Sequence, residues 1–174
     1  MKKSLALLFL CFFIILPYIK VEAYTASDSD CKLYNEKLAA TQVFAGNNRD
    51  LYLKDEDVYL MAQVVYAESQ GEPYEGKVAV ASVILNRLKS PGFPKTVEEV
   101  IKQKDAFSCV TNGKISIVPD SSCYSAVLDA LKGNDPTEKA VFFYNPKTAT
   151  SSWMNNINKE NVKNIGHHVF FVAN

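Results

Sequence analysis

Apolar positions along the chain change their spacing several times, and each change marks an element. Leu5 to Leu16 is apolar almost without a break and follows Lys2 and Lys3. Tyr24 to Asp50 mixes polar residues with a weak helical stretch around Leu33 to Val43, then ends in the loop composition "AGNNRD". From Asp55 the pattern sharpens. Val58, Met61, Val64 and Val65 recur at steps of three and four and make one face of a helix. Asp55 or Asp57 caps its start, and Gly71 and Pro73 stop it near Ser69. Tyr74 to Lys89 is a second helix, and its "VAVASVIL" core is apolar on nearly every side, as in helices at a domain centre.

Shorter elements follow. Thr96-Val97-Glu98-Glu99 is a capping box that opens a brief third helix. "AFSCV" and "KISIV" flank Asn112-Gly113, a strong hairpin signal. Asp120 caps a helix from about Ser121 to Lys132, closed by Gly133. "AVFFYNP" (Ala140 to Pro146) and "HHVFFVAN" (His167 to Asn174) read as strands. The fold class is therefore α+β, a helical body with a small antiparallel sheet to one side.

The basic start, the apolar run and the small residues of Val21-Glu22-Ala23 have the grammar of a secretory leader, too short for a spanning helix of about 20 residues. The expected organisation is a leader over 1–23, a tether over 24–50 and one domain over 51–174. Export is expected, with no membrane anchor after cleavage. Cleavage after Ala23 leaves 151 of the 174 residues and takes the net charge from zero to about −2, because the leader holds three lysines and one glutamate. That balance argues against nucleic acid as a partner. Cys31, Cys109 and Cys123 remain, so one bridge at most can form. A Cys109–Cys123 bridge and two unbridged thiols are both open. No CxxC or HExxH occurs, and no metal or other cofactor is expected.

Glu68 falls in the middle of the first helix's apolar face, seven residues after Met61 and three after Val65. Such a glutamate can bend out to solvent or pair with Lys77. Against that stand its place in the stripe, where a charge is desolvated, and its place at the break from helix to loop, where it can reach a cleft. Burial disfavours the charged form of a carboxyl, and a glutamate kept protonated is suited to be a general acid for a glycosidic oxygen. Glu72, Glu75, Asp105 and Asp120 are the nearest second carboxylates, and no spacing singles one out.

"AESQGEPYEGKVAVASVILNRLKSPGFPKTVEEVI", then "AFSCV", "NGKI", "GNDPT", "AVFFYNP", Trp153 and "NIGHHVFF", run in the order seen in cell wall hydrolases of the SleB/CwlJ type, the spore-cortex-lytic enzymes. The resemblance covers roughly Asp57 to Phe171. It implies that 51–174 is a catalytic domain of lysozyme-like fold, acting in the cell wall or the spore cortex and coat, with peptidoglycan glycan strands as substrate and Glu68 as the catalytic acid. It also implies a lytic transglycosylase, which ends the cut strand in a 1,6-anhydro-muramoyl ring. A hydrolytic muramidase of the same fold and a non-catalytic wall- or coat-binding protein are the alternatives; an amidase would need a zinc ligand set that is not visible.

Ser108, Tyr144 and Asn145 occupy family motif positions at strand ends. Ser108 or Tyr144 could hold an N-acetyl group or steer the 6-hydroxyl, while Asn145 suits the turn before Pro146. Trp153, the single tryptophan, is either a sugar-stacking face or a core anchor. His167 and His168 are adjacent and in a strand would point to opposite faces. Asn86-Arg87 is expected to hold helix-to-loop geometry. Members of the family often carry a separate wall-binding domain, for which 24–50 is too short, so targeting would fall to substrate already at hand or to an accessory partner.

Overall fold

A computed structural model of the chain describes residues 53–173. The expected leader, the tether and Cys31 lie outside the described residues. Helix α1 spans Asp55–Glu68. Asp57 Oδ2 accepts from the Lys54 N–H at 2.9 Å, so Asp57 ties down the helix start from its third position and Lys54 is the cap. Asp55, Glu56 and Asp57 all stand at the positive end of the helix dipole. Val58, Met61, Ala62, Val64 and Val65 are buried. The Ser69 hydroxyl donates back to the Val65 carbonyl, and Gly71 turns the chain at φ +77°.

Helix α2 spans Tyr74–Lys89 and buries every residue from Val78 to Leu85. It is the centre of the domain, as its all-round apolar sequence requires: α1, α3, α4 and the sheet all pack against it. Helix α3 spans Val97–Lys102, with Thr96 Oγ1 accepting from the Glu99 N–H at 3.2 Å. Helix α4 spans Ser121–Leu131, with Asp120 Oδ1 accepting from the Cys123 N–H at 2.9 Å.

The sheet has three antiparallel strands in the order β1-β3-β2: β1 Phe142–Tyr144, β2 Lys159–Ile165 and β3 His168–Ala173. Phe143 pairs with Phe170 and Phe142 with Phe171, and the rings stack across the strands at 5.5 Å in both pairs. A one-turn helix, α5 (Ser152–Asn156), leads into β2. Neither α5 nor β2 is visible in the hydrophobic pattern. Only Ile165 of β2 is buried, and the strand carries an irregularity between Glu160 and Lys163.

The Asn112-Gly113 turn forms, with φ of 52° and 72°, but the expected hairpin strands do not. Pairing stops at the single bridge between Thr111 and Lys114. The flanking groups are taken elsewhere. Gln63 Nε2 donates to the carbonyls of Ile117 at 2.7 Å and Ile115 at 3.3 Å, and the Cys109 N–H turns inward. A buried amide side chain on α1 thus replaces a strand ladder as the restraint on this loop.

Candidate active site

Glu68 is the last residue of α1 and is half-buried, at the point where helix gives way to loop. Its Oε1 accepts from the Ser108 hydroxyl at 2.9 Å and from the Cys109 N–H at 3.2 Å. The two donors are successive residues of one loop, so the plane of the carboxyl is set by that loop. Lys77, the alternative partner, is committed to Ser122 Oγ at 2.6 Å and lies 3.8 Å from Asp120. Glu68 sits at the C-terminal end of the apolar stripe beside polar donors, and is less enclosed than a mid-stripe position suggests.

The loop is anchored by Phe107, which is buried and meets Phe143 of β1 at a ring distance of 6.3 Å. Ser108 then faces a cavity of about 490 Å³ whose walls include Lys102, Lys104, Asp105 and Gly113. Cys109 lines a second cavity of about 620 Å³ with Asn112, Lys114 and Ile117. Each partner of Glu68 therefore borders an open hollow beside the Asn112-Gly113 turn. Burial and the nearby Glu68 carboxyl push the Cys109 thiol up to about 12, so it is a neutral neighbour, not a nucleophile. Cys123 is buried in the first turn of α4 and raised to about 11 by burial and its contact with Asp120. Both thiols are free, and the Cys109–Cys123 bridge is not formed.

Of the predicted site residues, Ser108 is brought to Glu68 and the other three make their contacts elsewhere. Phe143, Phe170 and His168 meet on one face of the sheet. Tyr144 packs edge-on to Phe171 on the other, where Phe142 and Trp153 also meet. Trp153 keeps 48% of its surface exposed while its ring leans on Phe142 at 5.3 Å, so it is anchored and open at once. Asn145 makes the turn: its Oδ1 accepts from the Lys147 N–H and its carbonyl from Thr148 and Ala149.

The candidate second carboxylates each have a local role. Asp120 caps α4, and the Cys123 N–H and the Ser122 hydroxyl hold it down to about 2. Asp105 occupies a tight turn at φ +60°, and Glu75 is exposed on the first turn of α2. The Glu72 side chain is buried, 5% exposed. Its Oε2 accepts from the His167 N–H at 2.8 Å, and its Oε1 lies 3.1 Å from His167 Nδ1. His168 Nδ1 is 3.9 Å from the same oxygen. The two histidines therefore converge on one carboxylate instead of pointing apart, because His167 belongs to the β2–β3 turn and only His168 begins the strand. Burial lowers His168, with Glu72 and Glu68 opposing that shift. No group of three or more acidic, histidine or cysteine side chains could hold a metal among the described residues.

Three neighbours of Glu68 have no signal in the hydrophobic pattern. The Cys109 amide is a backbone donor, which any residue type would supply. His168 and Arg87 come within its field only through the fold.

The fold and this site define a class. The Cell Wall Hydrolase family profile matches residues 71–171, beginning three residues after Glu68, and the chain belongs to that family. The chain is 48% identical over 149 residues to a spore cortex-lytic enzyme of Halalkalibacterium halodurans, covering 86% of this chain and 42% of that one. It is 50% identical over 114 residues to the spore cortex-lytic enzyme of Bacillus subtilis, covering 66% of this chain and 37% of that one. The chain thus spans about two fifths of the length of these curated relatives. Among solved structures it resembles the catalytic domain of the Bacillus cereus SleB protein, with a TM-score of 0.64 and 45% identity over 73% of this chain and all of that one. The catalytic domain of the germination-specific lytic transglycosylase SleB from Bacillus anthracis matches with the same TM-score and 44% identity, over 74% of this chain and all of that one.

Proposed function

We propose that this protein is an exported lytic transglycosylase that cuts the muramoyl–glucosamine bond of peptidoglycan, in the spore cortex or the cell wall, with Glu68 as its acid and base. One observation carries the reading: a glutamate at a helix end, with one carboxyl oxygen fixed by Ser108 and Cys109, each of which lines an open hollow. With Oε1 held, Oε2 carries the proton. Glu68 gives it to the oxygen leaving muramoyl C1, and the ring carbon becomes oxocarbenium-like. The resulting carboxylate accepts the proton of the 6-hydroxyl of the same sugar as that oxygen closes on C1. The proton count balances, and no water is consumed. The tethered hydroxyl has the advantage of an intramolecular nucleophile. The local roles of Glu72, Asp105 and Asp120 support a mechanism with one carboxyl.

Ser108 is the residue that orients the acid. Trp153, anchored but half-exposed, is suited to stack on a sugar farther along the strand, and Tyr144 and Asn145 are assigned to the same outer part of the substrate path.

Digestion of purified cortex or wall glycan, read by mass spectrometry, tests the reading. Anhydro-muramoyl ends are expected; reducing muramic acid would make the protein a muramidase. Glu68→Gln should lower glycan release by about 10²–10⁴-fold while leaving the melting temperature unchanged. Equal release from the two proteins would leave only a wall-binding role.

A further inference from the structure

Arg87 is 4% exposed, and charged side chains are seldom so buried without a partner. Its Nε donates to the Val141 carbonyl at 2.8 Å, at the start of β1. Its guanidinium carbon lies 4.9 Å from the centre of the Phe107 ring, 5.6 Å from Phe93 and 5.8 Å from Phe142. Among the described residues no carboxylate forms an ion pair with it, and its buried Nη1 has no hydrogen-bond partner. Burial lowers it to about 10, opposed by the field of Glu68, so it stays cationic at neutral pH.

We propose that Arg87 is a positioning residue for the reaction: it clamps the Phe107–Cys109 loop to the start of β1, and through Ser108 and Cys109 it holds the Glu68 carboxyl in place. The inference rests on the reading of Glu68 as acid and base. The clamp follows from the contacts. The same side chain that bonds the start of β1 lies over Phe107, the residue before Ser108. Ser108 and Cys109 are the donors that set the carboxyl.

The test compares Arg87→Met, Arg87→Lys and Phe107→Leu with the wild-type chain, using kcat and KM on soluble glycan together with melting temperatures. Arg87→Met should lower kcat about 10- to 100-fold with KM nearly constant, as misplacement of a reacting group does. Arg87→Lys keeps the charge but loses the planar fork that bonds Val141 and lies over Phe107, so it should lower kcat with KM and melting temperature near wild type. Phe107→Leu should lower kcat in the same way. Wild-type kcat in folded Arg87→Lys overturns the clamp, as does a rise in KM at constant kcat, and that variant carries the test if Arg87→Met does not fold. Full activity in Glu68→Gln would instead remove the reading of Glu68 beneath the clamp.

Discussion

Glu68 has its two carboxyl oxygens in different situations. Oε1 is held by a hydroxyl and an amide from one loop, whereas no described residue donates to Oε2. Removing the hydroxyl alone should loosen the carboxyl without freeing it, since the Cys109 amide remains. Ser108→Ala is expected to lower kcat about tenfold, as misplacement of a reacting group does, with little change in KM. A rise in KM at constant kcat would instead make Ser108 a sugar contact. The helical period was enough to mark Glu68, because a carboxylate in an apolar stripe is an anomaly on sequence alone. It could not show which groups would meet it. Ser108 is 40 residues away, and the donor beside it is a main-chain N–H.

The turn between β2 and β3 is where the sheet meets the helical body. Gly166 has φ +59°, and a Cβ there would collide with Glu72 Oε2 and lie 2.8 Å from Pro73 Cδ. Gly166→Ala should therefore destabilise the protein by roughly 1–3 kcal/mol from the backbone conformation alone, and by more through the collision. A lower urea midpoint at unchanged slope would register it; an unchanged midpoint would mean that the turn does not pack on Glu72 as described. The helices, with strong periods and clear caps at Thr96 and Asp120, were legible before folding. The edge strand β2 was not, because a strand exposed along most of its length has no apolar alternation to read. The hairpin expectation failed for the opposite reason: the local turn signal was right, but Gln63 and Glu68 captured the groups that a ladder would have used.

Stability against acid is a property of the whole domain, because the groups that govern it tie helices to sheet. His168 is lowered in the folded state by burial, from an ordinary value of 6.5. For Asp135, burial works against the charge, but bonds from Thr137, Asn86 and Lys139 outweigh it and hold the carboxyl below its ordinary 3.8. Both folded values lie below the unfolded ones. Each contribution is therefore complete above the unfolded value and is lost as pH falls through the folded one. The melting temperature should fall in two stages, first as pH drops below about 6.5 and again below about 4. His168→Phe should flatten the first stage and leave the second. A first stage that survives that substitution would assign it to another group.

The amino-acid sequence determined the helices, their caps, the buried centre of α2 and the one glutamate out of place, because each depends on spacing between near neighbours in the chain. Tertiary structure alone decided that Ser108 and Cys109 would grip that glutamate, that both histidines would reach Glu72, and that a buried arginine would stand behind the site. Those are contacts between segments about 20 to 100 residues apart, and no local period encodes them.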